Sequence, residues 1–187
     1  MAKAFIFLAN GFEDMEAIAT RDILIRGGVE TLTVSTTDEG FVESSHGVTV
    51  LADMTFDSYT VMAVGKEDVM IFPGGMPGTK NLAANAPLME RMKAHYDGGG
   101  TVAAICAAPG LVVSKLDGLQ GKKFTCFEGF QENMIARGAV YTPESVVVDG
   151  RLITGRGAGH AINFGLHILS YLKGGESAEK VKAGLML

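Results

Sequence analysis

The chain has 187 residues, 47% hydrophobic and 20% charged, which is enough to bury one sizeable core; a single domain over residues 1–187 is the default expectation. A net charge of −5 with no lysine/arginine run argues against nucleic acid as a partner, and no apolar stretch approaches the roughly 18 residues of a membrane span. Two cysteines, Cys106 and Cys126, make no disulfide framework, so a reducing cytoplasm is the simplest compartment.

In chain order, Lys3 to Ala9 is almost all apolar and reads as a first buried strand rather than a signal peptide, because Glu13-Asp14-Met15-Glu16 follows at once. Asn10-Gly11 breaks it. Asp14 to Arg26 carries Met15, Ile18, Ile23 and Leu24 at helical spacing, and Gly27-Gly28 closes the helix. Val29 to Ser35 is a second strand. Phe41-Val42 and Gly47 to Leu51 read as short strands or a hairpin before a loop region. Asp68 to Phe72 is a buried strand running into Pro73-Gly74-Gly75-Met76-Pro77-Gly78. Leu82 to Tyr96 reads as one helix, and Gly98-Gly99-Gly100 leads into the strand that ends at Cys106. Asp149-Gly150 marks a hairpin turn between Val146–Val148 and Leu152–Thr154. Helices over Ala161–Leu172 and Ala178–Leu185 finish the chain. The alternation predicts an α/β sandwich around a mostly parallel sheet, with no internal repeat. Chemistry in such folds collects beyond the carboxyl ends of the strands. Asn10–Glu16, Pro73–Gly78 and Cys106–Pro109 occupy those positions.

Cys106 stands out among them. A lone cysteine in an apolar run is usually buried filler. This one ends a strand-like run and precedes Ala107-Ala108-Pro109-Gly110, the pattern of a strand, a sharp turn and a helix. That is the geometry of a nucleophile elbow, where helix N–H groups favour a thiolate. Cys126, in Lys123–Phe127, reads as a structural strand residue. Gly74-Gly75 fits an ordinary turn, or a backbone donor aimed at an oxyanion; Gly75 and Ala107 N–H groups would form the hole if their loops adjoin. Glu13 and Asp14 read as acids decorating a helix start. Helical spacing turns Glu16 toward Ala19 and Thr20 instead. A carboxyl beside a thiolate resists ionisation, so Glu16 would keep its proton and donate to the sulfur or hold a sulfinate.

His46, His95, His160 and His167 are scattered, and none adjoins Cys106. His160, at a helix start after Gly157-Ala158-Gly159, is placed to line a pocket. A Cys/His dyad is not indicated, and no metal-ligand spacing appears; neither metal nor cofactor is expected.

Glu16, Pro73-Gly74-Gly75 and Ala103-Ala104-Ile105-Cys106-Ala107-Ala108-Pro109 together resemble the ThiJ/PfpI superfamily, and within it the branch of the parkinsonism-associated deglycase and its bacterial relatives. The resemblance covers essentially the whole chain, including Leu8–Glu16 and Thr154–Gly159. It implies a flavodoxin-like three-layer sandwich and a homodimer in which segment 154–159 approaches the partner's site. It implies Cys106 as an oxidisable nucleophile held by Glu16, with donors at Gly75 and Ala107. Gly74, His46, Phe127, Gly157, Ala158 and His160 are the expected pocket lining. The activities implied are deglycation and glyoxalase-type conversion of small dicarbonyls or glycated protein, or, as the alternative, redox sensing or chaperoning through Cys106 oxidation. Four departures stand out. Ala107 replaces the histidine of the protease-like branch, which argues against proteolysis. Thr125-Cys126-Phe127-Glu128 stands where the animal deglycase carries a histidine, so the apolar Phe127 weakens a mechanism needing an imidazole. His46 replaces an arginine, and Ala158 replaces the proline of a Gly-Pro-Gly motif.

Overall fold

The computed structural model describes residues 2–187. Strand β1 (Lys3–Leu8) is buried from Ala4 onward, as a central strand covered on both faces must be. Helix α1 (Asp14–Arg26) is capped by the Glu13 carboxylate, which accepts from the Glu16 N–H at 2.8 Å. β2 (Glu30–Ser35) lies parallel to β1, and β3 (Phe41–Glu43) pairs antiparallel with β4 (Thr49–Leu51) as a separate hairpin. β5 (Met54–Thr55) extends the main sheet beyond β2 and leads into α2 (Phe56–Thr60); both lie where the sequence reads as loop. After β6 (Val69–Phe72) come α3 (Gly78–Ala84) and α4 (Ala86–Asp97).

The single helix expected over 82–96 is therefore two. Asn85 is extended at the break and its side chain caps the Leu88 N–H at 3.1 Å. Pro87 lacks the N–H that would carry one helix through to the Ala83 carbonyl. β7 (Thr101–Ile105) runs directly into Cys106. The helix after it, α5 (Ala108–Leu111), lasts only four residues before a 3₁₀ turn at Val113–Lys115. β8 (Lys123–Phe124), α6 (Glu132–Ala136) and β9 (Val140–Tyr141) form a small parallel flap. Cys126 lies two residues beyond β8, fully buried, rather than within a strand. β10 (Val146–Asp149) and β11 (Leu152–Gly155) pair Asp149 with Leu152, so the hairpin turn is Gly150-Arg151, with Gly150 at φ +61°. Helices α7 (Ala161–Lys173) and α8 (Gly175–Gly184) close the chain.

The main sheet has the order β10-β11-β7-β6-β1-β2-β5, parallel except for the β10–β11 edge. Alternate side chains of the central strands feed two cores. Ile6, Ile71, Ala103 and Ile105 meet Ile23, Leu24, Phe164 and Ile168 of α1 and α7. Phe5, Phe7, Phe72 and Ala104 meet Tyr59, Leu82, Met92 and Val112 on the opposite face. Two helical layers thus sandwich one sheet, the flavodoxin-like α/β architecture. The apolar stripe expected on α1 divides: Ile23 and Leu24 are buried, whereas Met15 and Ile18 stay 54% and 43% exposed. Residues three to four apart share a helix face, and Met15 and Ile18 share theirs with Ile25, also exposed.

Candidate active site

Cys106 has φ +65°, a left-handed backbone that side chains other than glycine adopt only under constraint. The constraint is visible on both sides. Its N–H donates to the Gly155 carbonyl at 2.9 Å, and its own carbonyl accepts from the Phe127 N–H at 2.9 Å. The elbow turns the side chain toward the start of α1 and the β6–α3 loop. Ala107 and Gly75 both direct their N–H groups at the sulfur.

Glu16, 1% exposed, approaches from α1. Its Oε2 accepts the Gly74 N–H at 2.6 Å, and the thiol donates to the same carboxyl group. Burial, opposed by the Gly74 hydrogen bond and aided by nearby Glu13, pushes Glu16 up to about 7. Burial also pushes Cys106 up, to about 12, and the Glu16 charge and hydrogen bond add to it. The Ala107 and Gly75 N–H groups oppose this rise and are outweighed. This corrects the expectation of a thiol made acidic by a helix N-terminus: a four-residue helix supplies little dipole, and a buried carboxylate faces the sulfur. Protonating Glu16 removes two of the three causes that hold the thiol up.

Gly74 fits the gap between the two groups. A Cβ there would lie 2.6 Å from Cys106 Cβ and 2.7 Å from Glu16 Oε2. Gly75, at φ +90°, packs its α-carbon against the backbone of Gly11, Phe12 and Glu13.

The remaining predicted lining falls in two places. Phe127, 49% exposed, lies against Gly157 and borders a groove of about 430 Å³ with Glu128, Arg156, Ala158, Gly159 and His160. Arg156 pairs with Glu128 at 2.8 Å on its rim. His46 lies apart, on the β3–β4 turn, with Nδ1 2.7 Å from Asp14 Oδ2. That hydrogen bond raises His46; for Asp14, burial is overcome by hydrogen bonds from Ser44 and His46, which lower it. Glu13, Asp14 and His46 bring ligand-type atoms within 4.8 Å of one another, a convergence that no sequence spacing announces. Their polar atoms serve the α1 cap and the turn. Sequence reasoning also passed over Gly155, whose carbonyl pins the elbow, and the Thr154 hydroxyl, which accepts from the Thr125 N–H at 2.9 Å and steadies the Phe127 segment.

No helix among the described residues is long and apolar enough to cross a membrane. The model of the DJ-1/PfpI family matches residues 2–171. Protein DJ-1 homolog A of Arabidopsis thaliana is 34% identical over 181 residues, 96% of this chain and 45% of that protein, so the chain spans less than half the length of that relative. A Caenorhabditis elegans protein named glutathione-independent glyoxalase DJR-1.2 is 31% identical over 94% of this chain and 90% of its own length. The solved structure of oxidized Toxoplasma gondii DJ-1 superposes with a TM-score of 0.91 at 31% identity, covering 100% of this chain and 98% of the other. The chain belongs to the DJ-1/PfpI family.

Proposed function

We propose that the protein is a cysteine-dependent enzyme acting on small reactive 1,2-dicarbonyls or on their adducts with protein side chains. The observation that carries this reading is the elbow itself. Cys106 is held at φ +65° with two backbone donors on its sulfur and a carboxyl beside it. Sulfur adds to the aldehyde carbon as its proton passes to Glu16, giving a hemithioacetal. The new oxyanion is received by the Gly75 and Ala107 N–H groups. Glu16, held up to about 7, can take and return protons at neutral pH. Glu16 then moves the proton on the former aldehyde carbon to the neighbouring carbonyl carbon, leaving a thioester of the 2-hydroxy acid, and water cleaves its C–S bond to release the acid and the free thiol. The glyoxalase name of the nematode relative supports this substrate class. Cys106→Ser should abolish methylglyoxal turnover by freshly reduced protein; wild-type rates in that variant would end the proposal.

A second reading has its own support, a carboxyl beside the sulfur that is held up to about 7 and so carries its proton for part of the time at neutral pH. Two successive equivalents of peroxide would convert the thiol to a sulfinate, releasing one water each, and Glu16 would donate to the product. Intact mass after graded peroxide, with and without dicarbonyl turnover, separates a sensor from an enzyme. Either role suits a reducing cytoplasm, where both thiols stay free.

We also read the chain as one domain that forms a homodimer. Ile18 and Ile25 of α1 line a groove with Val50 and Leu51 of the hairpin, an apolar face that a second copy would cover.

A further inference from the structure

We infer that Thr20 is a positioning residue for Glu16: its hydroxyl donates to Glu16 Oε1 and fixes how the carboxyl meets Cys106. The proposal rests on the reading of Glu16 as the proton-exchanging group and adds the residue that governs it.

Glu16 Oε2 is taken by the Gly74 N–H, but Oε1 is buried with no protein partner among the described residues. Thr20 Oγ1 is in the same condition, in a side chain with no exposed surface. A buried polar atom left unpaired is costly, so two within one helical turn ask for a common explanation. Glu16 and Thr20 stand four residues apart on the buried face of α1, the spacing at which helical side chains meet. Each supplies what the other lacks, an O–H donor and a carboxylate acceptor. Among the described residues, the one other buried side-chain polar atom in this state is Tyr59 OH, which lies in the core on the opposite face of the sheet. Rotation of the two side chains, or one bridging water, closes the distance.

Packing alone does not call for this hydroxyl. Ala17, Ile23 and Leu24 share the buried face, and valine would fill the same volume. Two titratable groups act on Glu16, Glu13 at the cap of its own helix and Cys106 from the elbow. The Gly74 loop offers only an N–H, and α7, packed across α1, offers His160 at its start. Donation to an ionised carboxyl favours that form. Thr20 therefore holds the Glu16 titration down against burial and against Glu13, leaving it able to release its proton.

The test is the pH titration of the Glu16 side-chain carboxyl by ¹³C NMR, assigned by Glu16→Gln, in wild type, Thr20→Val and Thr20→Ser. Thr20→Val should move the midpoint upward by about one unit, the effect expected of one lost hydrogen bond to a charged group. Thr20→Ser should retain the wild-type midpoint. The pH profile of Cys106 alkylation should shift in parallel. A folded Thr20→Val protein with the wild-type midpoint overturns the proposal, and Thr20→Ala reads the same quantity should valine prevent folding. The carboxyl signal needs no turnover, so a protein inert toward dicarbonyls still gives the answer for Thr20.

Discussion

The Cys106 thiol donates to the Glu16 carboxyl beside the α-carbon of Gly74; burial pushes both groups up, and the pairing adds to the rise at Cys106 while it restrains the rise at Glu16. The pair holds one proton more readily than it gives up two. At neutral pH Glu16 is poised between its forms, so the state of the carboxyl decides whether the sulfur faces a charge or a donor.

The first consequence concerns stability. Glu16 is raised from 4.5 to about 7 in the folded chain, so the folded state binds the proton more tightly than the unfolded state. Stability is then greatest below the unfolded value and falls as pH rises through the window from 4.5 to about 7. The loss is on the order of 3 kcal/mol at 1.36 kcal/mol per unit. Urea denaturation across this window should show that decline in wild type and a flatter profile in Glu16→Gln, with the curves crossing toward alkaline pH. Parallel profiles would mean that Glu16 is not the group titrating.

A second expectation concerns reactivity. Glu16→Gln removes the charge that raises Cys106 and replaces the carboxylate with an amide able to donate to the sulfur, leaving burial as the main cause, so the thiol value should fall below about 12. Iodoacetamide alkylation should match wild type in acid, where Glu16 already carries its proton. It should exceed wild type increasingly above about 7, by about tenfold for each unit that the thiol falls. Dicarbonyl turnover should fall in the same variant, because the amide exchanges no proton. Faster alkylation with slower turnover separates the two roles of Glu16; a variant slower in both would show that the carboxylate activates the sulfur.

The contrast between elbow and thiol shows what the sequence makes legible. Buried strands announce themselves, as in Ala4–Leu8 and Val69–Phe72, because both faces are covered and every position is apolar. The elbow is visible in a strand-like run that ends on Cys106 before small residues and proline. The direction in which the thiol moves is not visible. It depends on burial and on a carboxyl 90 residues away in sequence, and both are tertiary facts. The same holds for Met15 and Ile18, whose spacing suits a core-facing stripe that the packing of α1 on α7 leaves outside. The break at Asn85 was legible in principle, since Pro87 carries the signal, but the apolar positions around it mask the interruption.

Gly74→Ala tests the spacing of the pair directly. The added methyl would meet Cys106 Cβ at 2.6 Å and Glu16 Oε2 at 2.7 Å, neither of them the free end of an exposed chain. Relieving the clash must move the elbow or the carboxyl. Overpacking of this kind costs about 1–3 kcal/mol. Urea denaturation should show that loss, and the pH dependence of Cys106 alkylation near 7 should weaken as the two groups separate. A variant as stable as wild type with an unchanged profile would show that the gap tolerates a side chain.

The last expectation concerns assembly. Ile18 and Leu51 are 43% and 65% exposed and line one groove between α1 and the hairpin. Leaving large apolar side chains together in water forgoes about 25 cal/mol per Å² of burial. Arg21 and Asp53 of the same groove already pair with each other at 3.3 Å, so they present little net charge to an approaching copy. The Met15 and Ile18 end of this face also belongs to the helix that carries Glu16, which ties any interface here to the position of the carboxyl. Ile18→Glu with Leu51→Glu should convert a dimer to a monomer in sedimentation velocity, since a twofold interface would bring each new charge close to its own copy. Cys106 alkylation should change with dissociation if the interface steadies α1. A wild-type chain that sediments as a monomer at tens of micromolar, or a charged variant that stays dimeric, would place any self-contact elsewhere.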